Sequence, residues 1–216
     1  MNLIKIEGIS ETYPELVDGT MDWYFCQEGK NCFCDLYEAE EIFKSGENFS
    51  GMTCHLIHYP EGTVHSPFRV KENVYIGKPI WDNGKLYFLS VDFHKQKIQI
   101  YSYSPDNQDN EMIKEMPLGV VEDCYNLMLK VSPVMLCRDA NDGIYEIVVW
   151  PENKKIEIGK TEGLLFCDGD DLYFSEWYED PEYHENVIIR DLNTGEIKEK
   201  YSGYLCKLPK GVYWKI

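Results

Sequence analysis

Apolar and polar positions alternate along most of this chain in short runs, and one layout recurs. An apolar strand leads into a polar turn, and a strand with an aromatic or aliphatic cluster follows. The clearest copies are PELVDGTMDWYF (14–25), KPIWDNGKLYF (78–88), GLLFCDGDDLYF (163–174) and GYLCKLPKGVYW (203–214). NLMLKVSPVML (126–136) and GENFSGMTCHL (46–56) are weaker copies. Period-two alternation bounded by turn residues predicts strands, and the pairs Asp18-Gly19, Asn83-Gly84 and Asp168-Gly169 suit tight hairpins because Asn, Asp and Gly tolerate positive φ.

The copies are anchored at Phe25, Leu56, Phe88, Leu136, Phe174 and Trp214, with a mean spacing of about 38 residues. A third alternating strand follows in several, as in KIQIYSY (97–103), GIYEIVVW (143–150) and NVIIRDL (186–192). A short fourth strand is expected at EEIFKSG (40–46), KKIEIGK (154–160) and GEIKEKYSG (195–203). No run rich in Ala, Leu, Glu and Lys of the kind that fills helices stands out, and aromatics make up 14% of the chain, which favours strands. The fold class expected is all-β, with residues 1–216 as a single domain.

The stretch NVIIRDLNTGEIKEKYSG (186–203) resembles the outer hairpin of bacterial β-propeller repeats, in which an apolar strand ends in Asp, a T-G turn follows and the chain returns. The chain as a whole resembles the β-propeller repeat superfamily, without a WD40 or kelch signature. The resemblance implies four-stranded antiparallel blades. Six hairpins imply six short blades, with five as the alternative because the 46–77 copy is short. NLIKIEG (2–8) aligns with NKKIEIG (153–159) and reads as a late strand. Pairing it beside 211–216 would close the ring and seal the sheet edges. An irregular β-sandwich is the rival fold; it explains strands but not repeated hairpins.

Charge narrows the partners. The chain carries 38 Asp and Glu against 21 Lys and Arg, a net −17. Such a surface repels phosphate backbones and anionic lipid, so no nucleic acid and no membrane is expected as a partner. The N-terminal MNLIKIEGIS lacks a basic segment followed by an apolar one, and no run approaches a membrane helix in length. A cytoplasmic location and reduced thiols are therefore expected.

The candidate chemistry is sparse. Cys26, Cys32 and Cys34 do not have zinc spacing. Cys167 and Cys206 occupy equivalent first-strand positions, and Cys26 and Cys137 each follow an anchor, so the thiols read as small core residues and no metal is expected. His55 and His58 should point to opposite faces of a strand. Asp168, Asp170 and Asp171 read as turn chemistry, lacking the further ligands of a calcium loop. His94, in VDFHKQK with Asp92, and His184, in YEDPEYHEN, fall in corresponding second-to-third-strand connections. The stretch from Glu176 to Glu185 reads as a long loop mixing carboxylates with Trp177, Tyr178, Tyr183 and His184, which suits a sugar or a basic peptide.

There is no nucleophile elbow, P-loop or dinucleotide glycine pattern. The expected function is a non-catalytic binding or scaffold module whose acidic loop face takes a basic protein or peptide, through Asp92, His94, Glu176, Trp177, Tyr178 and His184. The alternative is a carbohydrate- or ester-acting enzyme that uses carboxylates and histidines on that face. No catalytic residue is assigned and no cofactor is expected.

Overall fold

In a computed structural model, residues 3–9, 13–29, 35–139, 145–208 and 212–216 are described. The chain divides into two compact units, Met1–Cys124 and Tyr125–Ile216. Both are built from small antiparallel sheets.

In the first unit, β1 (Glu15–Leu16), β2 (Trp23–Gly29), β3 (Met52–His58) and β4 (Thr63–His65) form one sheet in that order. Asp18 and Gly19 lie in the β1–β2 connection, but it spans residues 17–22 and is longer than the tight hairpin expected there. Between β2 and β3 the chain forms helix α1 (Leu36–Lys44), where the pattern predicted a fourth strand at 40–46. The local signals explain the difference. Asp35 caps the helix by accepting the Glu38 N–H at 2.9 Å. Leu36 and Ala39 recur at helical spacing on the buried side. Residues 36–44 are thus the helix-filling run that strand-oriented reading passed over.

The 46–56 copy also differs from expectation. It is not a hairpin: Leu56 lies directly opposite Phe25 in the β2–β3 ladder, so two expected anchors share one sheet. A third strand buried on one face alternates like a second strand, so periodicity could not separate them.

The second sheet contains β5 (Val74–Ile76), β6 (Ile80–Asp82), β7 (Lys85–Asp92), β8 (Lys97–Ser104) and β9 (Asp109–Pro117). Both β5 and β6 pair with β7, which continues to β8 and β9. Asn83 and Gly84 form the β6–β7 turn with φ of 46° and 82°, a conformation that their residue types favour. The core of this unit joins the two sheets through Val17, Phe25, Leu56, Leu86, Phe88 and Tyr103.

The second unit repeats the plan. β10 (Met128–Lys130), β11 (Met135–Asp139), β12 (Tyr145–Trp150) and β13 (Lys154–Glu157) form one sheet. β14 (Glu162–Asp168), β15 (Asp171–Tyr178), β16 (His184–Asp191) and β17 (Ile197–Ser202) form the next. Their facing sides bury Met135, Val148, Ile156, Leu172, Phe174 and Ile188. The outer hairpin at 186–203 forms as its motif predicted. Asp191 Oδ1 accepts the N–H groups of Asn193 and Thr194 at 2.8 and 2.9 Å, and Gly195 turns the chain at φ 76°.

A last hairpin, β18 (Leu205–Lys207) and β19 (Tyr213–Lys215), packs Tyr213 on Phe166 at 4.0 Å. Trp214 is 60% exposed, so it is not the core anchor its repeat position suggested.

The described residues therefore form five sheets, where the six hairpin copies implied six. Residues 3–8, the described part of the segment 2–8 read as a closing strand, contribute to no sheet, and among the described residues β19 pairs with β18 alone. Ile4 and Ile6 instead lie over Gly62 in the β3–β4 turn. Positions 2 and 211 of the expected closure lie outside the described residues. No helix among the described residues is long and apolar enough to cross a membrane.

Candidate functional site

The two expected binding connections form between the corresponding strands, β7–β8 in the first unit and β15–β16 in the second, and the second is shorter than expected.

Asp92 ends β7 and is 3% exposed. Its Oδ1 accepts the Lys95 N–H at 2.9 Å, closing the turn, and Oδ2 accepts Lys71 Nζ at 2.9 Å. Burial pushes its pKa up. The Lys71 hydrogen bond, the Lys95 N–H and the two ammonium charges outweigh that, holding the carboxyl below its ordinary value. His94 stands exposed in the turn. The two do not act as a pair: Asp92 is a turn cap inside an ion pair, whereas His94 faces solvent.

In the second unit the expected long loop is only 179–183. Glu176, Trp177 and Tyr178 lie on β15, His184 begins β16, and Tyr178 sits opposite His184. Strand alternation then divides the group between two faces. On one face Tyr178 stacks on His184, with centroids 4.8 Å apart and planes 12° from parallel. Glu176, 6% exposed, shares that face. It accepts Lys200 Nζ at 2.6 Å, Asn186 Nδ2 at 2.8 Å and the Tyr178 hydroxyl. Burial pushes the Glu176 pKa up, and these three donors together bring it below its ordinary value. The bond to Glu176 in turn raises the Tyr178 phenol.

On the other face Trp177, 44% exposed, stands opposite Glu185. Glu185 accepts the hydroxyl of Tyr183, itself 66% exposed. Of the six expected residues the structure thus brings together Glu176, Tyr178 and His184, and sets Trp177 apart from them. Lys200 and Asn186 were missed. Alternation places Asn186 on the His184 face of β16, but nothing local pairs Lys200 with Glu176.

The remaining candidates have structural partners. Asp171 and Asp191 share Lys198 at 2.6 and 2.8 Å. The Lys198 hydrogen bond and the Thr194 and Asn193 N–H groups hold the Asp191 carboxyl down at about 2. His55 and His58 face opposite sides of β3, across from Cys26 and Trp23 respectively. A cleft of about 640 Å³ in the second unit is lined by Tyr145, Lys155, Glu157, Arg190, Thr194 and Glu196 among others, and it takes in none of the six expected residues.

The cysteines behave as core residues. Cys26, Cys54, Cys124, Cys137 and Cys167 are buried and unbridged, while Cys32 and Cys34 lie outside the described residues. Burial, then Asp168, Asp170 and Asp171, push the Cys167 thiol up to about 11. The thiolate is the reactive form. Iodoacetamide at mildly alkaline pH is therefore expected to label half-exposed Cys206 well before Cys167, as read by peptide mass spectrometry. Equal labelling rates would show that the β14–β15 turn opens readily.

No family model matches the chain, and no curated protein matches it. The similar solved structures are β-propeller proteins. TolB from Acinetobacter baumannii is 16% identical, with a TM-score of 0.41 over 68% of this chain and 37% of that one. A chain of the mitotic checkpoint complex is 13% identical, with a TM-score of 0.46 over 97% of this chain and 63% of that one. The β-propeller domain of the trilobed protease from Pyrococcus furiosus is 9% identical, with a TM-score of 0.45 over 91% and 58%. This chain spans less than two thirds of the length of each.

Proposed function

We propose that the chain is a binding module of the propeller type, residues 1–216 acting as one domain, the five sheets of its described residues serving as blades, and that it engages a cationic protein or peptide segment in the cytoplasm. The observation that carries this reading is the outward face of the β15–β16 hairpin. Trp177 and Tyr183 are exposed there beside Glu185, and Glu179, Asp180 and Glu182 fill the connection. Aromatic faces attract guanidinium and ammonium groups, and surrounding carboxylates add charge complementarity.

Two observations count against the enzymatic alternative. Asp92 and Glu176 are buried and held ionised by lysines, a state unsuited to proton donation. The cleft in the second unit joins neither His184 nor Glu176.

The test is titration with an Arg- and Lys-rich peptide, followed by calorimetry at low and high salt. Binding should weaken as salt rises. Trp177→Ala should weaken it about tenfold or more, as expected for an aromatic anchor. Failure of the wild type to bind, or an unchanged affinity in Trp177→Ala, would remove this surface from the function.

A further inference from the structure

The first unit contains a histidine cluster outside the proposed binding surface. Strand register puts Trp23, His58 and His65 on one face of the first sheet: Trp23 lies opposite His58, and His65 lies opposite Leu56, the next residue along that face. Both imidazoles contact the indole. The His58 ring centroid is 4.7 Å from that of Trp23, and His65 meets it edge-on at 5.1 Å. Trp23 is 5% exposed, so the contacts close one end of the buried core.

Each imidazole is oriented through Nδ1. His65 Nδ1 lies 2.7 Å from the hydroxyl of buried Tyr103 on β8, and His58 Nδ1 lies 2.8 Å from Glu61 in the β3–β4 turn. Among the described residues, the titratable groups that act on His65 are His58 from β3 and Tyr103 from β8, with Glu61 of the β3–β4 turn bonded to His58. The β3–β4 turn also carries Gly62, on which Ile4 and Ile6 rest.

We propose that His65, edge-on to the Trp23 indole that His58 also contacts and bonded to Tyr103, is a proton-operated latch that holds β4 and the β3–β4 turn on the core, and that acidification loosens this hairpin together with residues 3–9. With its proton on Nε2, neutral His65 accepts the Tyr103 O–H at Nδ1. Burial raises the Tyr103 pKa, so the phenol keeps its proton. A protonated His65 turns Nδ1 into a donor, so the bond must reverse. It also places a cation in a partly buried site beside a second imidazole.

Burial, followed by the charge of His58, lowers the His65 pKa below 6.5. The unfolded chain therefore binds this proton more readily than the folded one. The stabilisation from neutral His65 is complete above 6.5 and is lost as pH falls from there through the folded value.

Hydrogen exchange of the intact chain, corrected for intrinsic rates, tests the latch at neutral pH and at roughly pH 5.5, about one unit below the ordinary histidine value. Amides of 63–65 should lose protection several-fold on acidification, and NMR contacts of the Ile4 and Ile6 methyls with Gly62 should weaken with them. In His65→Gln, whose side-chain carbonyl still accepts the Tyr103 O–H without titrating, the loss should disappear. If that variant does not fold, His58→Gln serves in its place. Removing the neighbouring charge should raise the His65 midpoint measured by NMR and move the loss of protection to match. Protection that is unchanged in the wild type, lost equally in His65→Gln, or lost at an unshifted pH in His58→Gln would overturn the latch. Loss at 63–65 with the Ile4 and Ile6 contacts to Gly62 unchanged would overturn the release of the N-terminal segment.

Discussion

Phe88→Ala is expected to destabilise the protein by about 3–5 kcal/mol, the usual cost of emptying a fully buried phenylalanine site. Phe88 is 0% exposed and lies in the sheet-to-sheet core of the first unit, with Phe68 edge-on at 5.0 Å. Strands fix the backbone on both sides of that core, so neighbouring side chains cannot collapse into the space the ring leaves. A loss of this size is a large share of the roughly 5–15 kcal/mol that holds a folded domain together. Urea unfolding should show the midpoint falling with little change in slope. Trp214→Ala makes the internal comparison. It changes another anchor of the same repeat, but one that is 60% exposed, so its cost should stay below about 1 kcal/mol. Equal losses at the two positions would mean that repeat position, not burial, governs these anchors.

That contrast marks where the sequence pattern is informative. Short-range chemistry was legible. Asn83-Gly84 needs only two positive-φ residues between alternating strands, and the 186–203 hairpin is written in its own Asp, Thr and Gly. Which strand of a sheet a run becomes was not legible. β3 alternates as an inner strand does, and its partner β2 lies across a helix whose signals, the Asp35 cap and the Leu36–Ala39 spacing, compete with a strand-like apolar pattern. The candidate site divides in the same way. Alternation along 176–178 already implies that Trp177 and Tyr178 face apart. The ion pairs that occupy Asp92 and Glu176 come from Lys71 and Lys200, each more than twenty residues away in sequence, and only strand pairing brings them together.

The Glu162–Arg190 pair in the second unit is another such long-range contact, and it should give the other large effect. Glu162 Oε1 accepts Arg190 Nη2 at 2.9 Å, and Oε2 accepts Nε at 3.0 Å, a two-point grip between side chains that are 5% and 11% exposed. Arg190 Nη1 also donates to the Gly195 carbonyl at 2.9 Å, and the guanidinium lies 5.9 Å from the Phe174 ring. Glu162→Ala leaves a buried guanidinium with one carbonyl as its remaining acceptor among these contacts. Removing one partner of a buried pair typically costs about 3–5 kcal/mol, most of it the penalty for the stranded charge. Replacing both, as in Glu162→Leu with Arg190→Met, removes the charge along with the attraction. The double variant should therefore be more stable than Glu162→Ala alone. Because the pair is shielded from solvent, the coupling measured in a double-mutant cycle should persist at high salt, unlike that of an exposed ion pair. A double variant as unstable as the single one would mean that the pair contributes net stability to this end of the β14–β17 sheet, beyond the cost of the charge it leaves behind.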